Sequence, residues 1–329
     1  MRKLIIDDRI RGFASNYKTD VQNECPNVAT DLENLKTFVV ANNSWVDTSA
    51  IEDYIDTIIA DYSDLLTLEP KDWDLQKYKD IEAREPGLLK KKVLFGYDKD
   101  GKAQISELYK RIVFCMRYID ARVILGSIHQ DMGLKSCVYC NAETTLTGLD
   151  GDVFYQMDHF LPKSKYPFLC TCFYNLQPSC GGCNGHKLTQ DSDFGLYVNV
   201  EQGKEVNPFL FVPQVTDIKG MGDYTCLSIG FTGKGKIETT ESKEHNRVFH
   251  IISKYSGHRE KVKDIYDEAY KMTESYINAT HDAYGVNPTK QDVLAFMEKF
   301  PLEEERIHEK PFTKLKQDTM KQLKESGLV

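Results

Sequence analysis

Two cysteine pairs constrain this chain more than any other feature of its 329 residues: Cys137-Val138-Tyr139-Cys140 and Cys180-Gly181-Gly182-Cys183. A C-x2-C turn aims two thiolates at one point, and two such turns complete a tetrahedral four-sulfur zinc site. The 39 residues between the pairs exceed the span of a compact zinc ribbon, so the metal holds a sizeable insert at both ends. Cys170 and Cys172 lie inside that insert and compete as ligands only through the less usual C-x-C spacing. The N-terminus MRKLIIDDRIRG has too short an apolar stretch for an export signal, which predicts a cytoplasmic protein with reduced thiols rather than a disulfide framework. No apolar run approaches the roughly 20 residues of a membrane helix.

Around the insert the pattern is helical, and the expected fold class is α+β, predominantly helical. Ile51, Tyr54, Ile55, Ile58, Ile59, Tyr62, Leu65 and Leu66 mark one helical face, with Ser49 and Glu52 as a capping box. A second helix is expected across Ile105, Leu108, Tyr109, Ile112, Met116, Ile119 and Val123, with Lys110, Arg111, Arg117 and Arg122 on or beside its solvent face. Between them the charged stretch 72–92, with Pro86-Gly87, reads as a surface connection. Asp150-Gly151 between two strand-like runs signals a hairpin, and 224–240 repeats the strand, Gly-rich turn, strand pattern, with 207–211 as a separate extended piece. Helices return with a face through Val262, Ile265, Tyr266, Ala269, Met272, Tyr276 and Ile277, and a capping box from Thr289 to Asp292. The expected division is a helical region 1–130, a cysteine-rich core 131–200, and a β hairpin with helices over 201–329.

The insert carries Asp158-His159-Phe160-Leu161-Pro162-Lys163-Ser164 and Asn175-Leu176, and the second cysteine pair runs on into Asn184-Gly185-His186-Lys187. The order C-x2-C, D-H-x-x-P-x-S, N-L, C-x2-C-N-x-x-K resembles the HNH nucleases, the ββα-metal group that includes colicin nuclease domains and the HNH domain of RNA-guided CRISPR nucleases; the match covers about residues 135–190. The resemblance implies a zinc-stapled ββα-metal core hydrolysing phosphodiester bonds, with DNA as substrate and RNA not excluded. His159 would be the general base, and Asp158 and Asn184 would hold Mg2+ or Mn2+ through oxygen, leaving positions for phosphate and water. Asn175 would orient the loop and the histidine, and Lys187 would face a phosphate oxygen. Asn184 stands where the family name expects a histidine, and His186, two residues on, is the alternative ligand. The zinc, closed by four thiolates, would be structural.

Net charge is −8, and no segment is a basic arm: residues 1–134 carry 19 basic and 23 acidic side chains, 135–190 carry 4 and 4, and 191–329 carry 19 and 23. Lys163 and Lys165 beside the Asp-His motif, and Arg247, Lys254 and Arg259 in the most basic stretch, are the candidate nucleic-acid contacts; a solvated helix face explains that stretch equally. His245, His250 and His258 read as surface or core histidines, because their spacing does not bring them to one helical face. The HNH core followed by Asn207-Pro208, a β hairpin and a basic helix is similar to HNH subunits of bacterial antiphage systems of the Septu type, which implies a partner such as an ATPase subunit. A stand-alone restriction-type endonuclease would be expected to carry its own DNA-binding element, and none is found. The reading from another class is a non-catalytic zinc module that binds nucleic acid or protein. A single active site cuts one strand at a time, so a double-strand break would call for a homo-oligomer or repeated nicking.

Overall fold

The computed structural model describes residues 1–188, 190, 192–217 and 223–329. The fold is α+β and mainly helical, with small two-stranded sheets. After β1 (Leu4–Ile5), Asp7 caps α1 (Asp8–Glu24) by accepting from the Ile10 amide, and α2 (Val28–Asn42) and α3 (Thr48–Leu65) follow. The face of α3 is as expected, with Ile51, Tyr54, Ile55, Ile58 and Leu65 buried. Its cap is not. Asp47 begins the helix by accepting from the amides of Ser49 and Ala50, so Ser49 lies inside the first turn.

The stretch 72–92 is also corrected, because it contributes to the core. It forms α4 (Gln76–Arg84), buries Ile81, Leu88 and Leu89, and stacks Tyr78 on Phe168 at 3.9 Å and 10° between ring planes. Next come β2 (Lys92–Tyr97) and β3 (Ala103–Glu107), an antiparallel pair. The helix expected from Ile105 to Val123 is three elements: Ile105 lies in β3, α5 spans Leu108–Cys115 and α6 spans Tyr118–Asp131. Arg117 at φ +58° breaks the helical path, so the apolar spacing cannot run through it. Ile119 and Val123 therefore face outward, and Ala121, Leu125, Ile128 and His129 face the core.

A turn closed by the Gly151 amide on the Gly148 carbonyl, with a bridge between Thr147 and Val153, forms at the expected Asp150-Gly151 position. The chain beyond that turn then pairs elsewhere: β4 (Gln156–His159) runs antiparallel to β5 (Leu176–Ser179), and α7 (Gly181–Lys187) follows directly. β6 (Tyr197–Val198) returns to lie parallel to β1, with Leu4 opposite Tyr197. Residues 207–211 are not a separate piece. They open β7 (Phe209–Val215), whose partner is β8 (Leu227–Gly233), Phe211 lying opposite Phe231. The Gly-rich turn after β8 leads into α8 (Thr240–Phe249) instead of a returning strand.

His250 at φ +52° separates α8 from α9 (Ile251–Ser256). The long C-terminal face ends at Met272: α10 (Glu260–Lys271) buries Val262, Ile265 and Ala269, whereas α11 (Glu274–Tyr284) buries nothing among the described residues. Thr289 and Asp292 form the expected reciprocal capping box of α12 (Lys290–Met297), and α13 (Thr313–Glu325) closes the fold. One apolar core runs from Met1 to Leu315 through both cysteine pairs, and a smaller one joins Ile265 and Ala269 to Leu294, Phe300, Met320 and Leu323.

Candidate functional site

The four expected cysteines converge. Their sulfurs all lie within 4.8 Å of one another and all four residues are buried, the one such cluster of His, Cys, Asp and Glu among the described residues. Cys140 and Cys180 are 3.9 Å apart at sulfur, close to the roughly 3.8 Å edge of a tetrahedron with Zn–S bonds of about 2.3 Å. Each pair turns a backbone amide onto its own sulfur: Ala142 N–H donates to Cys140, and Cys183 N–H to Cys180, both at 3.4 Å. Cys180 is at once metal-ligand candidate and N-cap of α7, so the site is built into the helix start. Four sulfurs with this spacing suit zinc and leave no open position. Cys170 and Cys172 stand outside, their sulfurs against Met116 and the Leu68 carbonyl, and burial pushes both thiols up to about 12.

A cleft of about 370 Å3 opens beside this cluster, with Tyr118, Arg122, Asp158, His159, Lys163 and Asn184 among its walls. β4 carries Asp158 and His159, and the first half of α7 brings Asn184 to the same space. His159 Nε2 is 3.0 Å from the Cys170 carbonyl oxygen. A carbonyl only accepts, so Nε2 carries the proton and Nδ1 is the basic nitrogen of the neutral ring. Burial, then the charges of Lys163 and Lys187, pushes the imidazole down to about 3, so it is neutral at physiological pH.

The acceptor for His159 is held by Asn175. This fully buried amide donates to the carbonyls of Leu161 and Leu169 and accepts from the Leu161 amide at 2.7 Å, tying both ends of the 160–170 loop to the start of β5. Asp158 Oδ2 takes the Tyr139 hydroxyl and, at 3.0 Å, the ammonium of Lys187; burial nevertheless pushes the carboxyl above its usual range.

Lys187, expected to face a phosphate oxygen, points into the protein. It is fully buried, and besides Asp158 it donates to the carbonyls of His159 and Phe160, because the last turn of α7 points its side chain back under β4. His186 is exposed, rests its ring 4.5 Å from that of His250, and is absent from the walls of the cleft, where Asn184 stands.

The basic candidates separate similarly. Lys163 lines the cleft with its ammonium 4.6 Å over the Tyr118 ring, and Lys165 lines a neighbouring cavity with Trp73 and Tyr166. Arg247 is engaged by Glu244 and Gln190, and Arg259 donates to the Thr225 carbonyl. The Lys254 ammonium lies on the cysteine cluster, 3.6 Å from Cys140 and 3.7 Å from Cys180. His245 is a core residue, its Nε2 donating to the Tyr139 carbonyl. Tyr139 and Tyr118 were missed as site residues; the position of Tyr139 between the two cysteines of a knuckle was the available signal.

Among the described residues no helix is long and apolar enough to cross a membrane. Neither a protein-family model nor a solved structure matches the chain. The chain is 44% identical over 94 residues to the Septu protein PtuB of Bacillus thuringiensis, an alignment covering 27% of this chain and 35% of that protein, about a third of its length.

Proposed function

We propose that the chain is a metal-dependent endonuclease of the HNH type that hydrolyses phosphodiester bonds of DNA, with residues 131–200 as the catalytic core between the regions 1–130 and 201–329. The observation that carries this reading is the meeting of Asp158, His159 and Asn184 on one cleft, presented by an antiparallel strand pair and the helix that follows it. The carboxylate of Asp158 and the carboxamide of Asn184 are hard oxygen donors suited to Mg2+ or Mn2+, which when bound would neutralise charge on the phosphate and the leaving oxygen. His159 accepts a proton from the attacking water at Nδ1, and Asn175 fixes the ring through the loop that carries its acceptor. Lys187 is a positioning residue that locks Asp158 to the backbone of β4. A phosphate in the cleft would offset the charge of Lys163, which adds to burial in keeping the imidazole neutral.

The alignment to a Septu protein, with the similarity to antiphage HNH subunits, supports a role in antiphage defence alongside a partner such as an ATPase subunit. An acidic chain with a neutral core window binds free DNA weakly, so delivery by a partner is useful. The competing reading, a zinc module without catalysis, draws on the Lys187–Asp158 ion pair, because an ammonium already neutralises the carboxylate a cation would need.

Supercoiled plasmid, single-stranded DNA and RNA incubated with wild type and His159→Ala, in Mg2+ or Mn2+ against EDTA, separate the two. The nuclease reading expects metal-dependent cleavage that falls about 10²–10⁴-fold in a variant still holding its zinc. Equal cleavage by both proteins would place the activity elsewhere.

A further inference from the structure

We infer that Lys254 is part of the metal centre: its ammonium offsets half of the net charge of the four-thiolate site and covers the side of it nearest solvent. The proposal rests on the zinc reading of the quartet and is independent of the nuclease reading.

The geometry is specific. The ammonium is almost equidistant from the sulfurs of Cys140 and Cys180, which are themselves 3.9 Å apart, so one cation bridges one ligand from each knuckle. Cys180 is the most exposed of the four at 8%, the others being sealed, and the lysine lies on that side. A Cβ built on Gly182 would stand 3.9 Å from its nitrogen, which places the head group over the first turn of α7. The helix that carries it is anchored to the same knuckle: Tyr255, the next residue, donates its hydroxyl to the Cys140 carbonyl at 2.6 Å, and His245 on α8 donates to the Tyr139 carbonyl at 2.7 Å. Lys254 is therefore held on the sulfurs by its neighbours, and among the described residues its rival partner is the exposed carboxylate of Glu143, 3.9 Å away.

The charge arithmetic supplies the reason. Zn2+ with four thiolates carries a net charge of −2, and an uncompensated charge is costly away from water. N–H donors to coordinating sulfur lower that cost, and the two backbone amides already on Cys140 and Cys180 contribute no net charge. Lys254 supplies one positive charge against that −2 from a segment more than 70 residues beyond the second knuckle, so the C-terminal helices form one wall of the metal site.

The test uses the full-length zinc-loaded protein and three side chains at position 254. Lys254→Met keeps the stem and removes the charge; Lys254→Arg restores it. Zinc affinity is measured by competition with a chromophoric chelator, and Co2+ is substituted to read the sulfur-to-metal charge-transfer band. The expected result is a 10–100-fold loss of zinc affinity in Lys254→Met, near wild-type affinity in Lys254→Arg, and a shift of the cobalt band to longer wavelength in the methionine variant alone, because sulfur lone pairs rise in energy when the cation leaves. Unchanged affinity and band position in Lys254→Met would overturn the proposal. Equal losses in both variants would overturn it too, since packing and not charge would then be responsible. Wild-type protein that binds no zinc through the quartet would remove the reading on which it rests, a distinct outcome.

Discussion

The sulfur cluster and the oxygen–nitrogen cleft share α7 and lie side by side, yet they are finished to different degrees. At the cluster every cysteine is turned inward, amides and an ammonium fill the outer positions, and no coordination site is left for another molecule. At the cleft Asp158, His159 and Asn184 meet open space while Asn175, Lys187 and Tyr139 hold them from behind. A closed centre stores folding free energy, and an open one stores position. Tyr139 joins the two, since it belongs to the first knuckle, stacks on Phe249 and donates to Asp158.

The comparison breaks first at the closed centre. Cys180→Ala removes a candidate zinc ligand and the N-cap of α7 together, and structural zinc is worth on the order of 10 kcal/mol in small modules. The expected outcome is loss of bound zinc and of cooperative unfolding, read by metal analysis and circular dichroism. A variant that keeps one zinc and a wild-type melting curve would remove Cys180 from the site.

Lys187→Met probes the support behind the open centre. It strands the buried Asp158 carboxylate, and breaking a buried pair costs about 3–5 kcal/mol. Chemical denaturation should show that loss while zinc stays bound; a change below about 1 kcal/mol would mean that the ammonium is not committed to Asp158.

Acid should distinguish the buried histidines from both centres. His129 and His308 are each pushed down to about 3 by burial, far below the ordinary 6.5. Below pH 6.5 the unfolded chain takes up protons that the native protein refuses until about pH 3. Their contribution is thus complete above pH 6.5 and declines as pH falls, by about 2 kcal/mol each at pH 5. His129→Gln should flatten the fall in melting temperature between pH 7 and pH 5; an unchanged slope would show that His129 protonates without cost. The smallest effect belongs to Arg247→Ala. Its ion pair with Glu244 is exposed, so no measurable change in melting temperature is expected, and a large one would reveal a role in packing.

Much of the metal cluster was legible because a knuckle is local: C-x2-C specifies its own turn, and the tetrahedron needs only that two such turns meet. The face of α3 and the Thr289 cap were legible for the same reason, each resting on residues within one or two turns. Expectations failed where a long-range partner decided the outcome. The pairing of Phe209–Val215 with Leu227–Gly233 turned an expected local hairpin into a longer one and released the Gly-rich turn to start α8. Charges surround Tyr78 along the chain and make its stretch read as a surface connection, but Tyr54 on α3 and Phe168, 90 residues on, give it a core to enter.

The amino-acid sequence by itself determined the chemistry on offer: four thiolates in two turns, an Asp-His pair, the carboxamides of Asn175 and Asn184, and no basic arm. Tertiary structure decided which of those groups face open space and which are spent inside. Lys187 and Lys254 look alike as exposed cations along the chain, yet one is buried under β4 and the other lies across two sulfurs. The physical reason is that a side chain's partner is set by which carbonyls, carboxylates and sulfurs the packed elements bring within about 3–4 Å, and those distances exist only after folding.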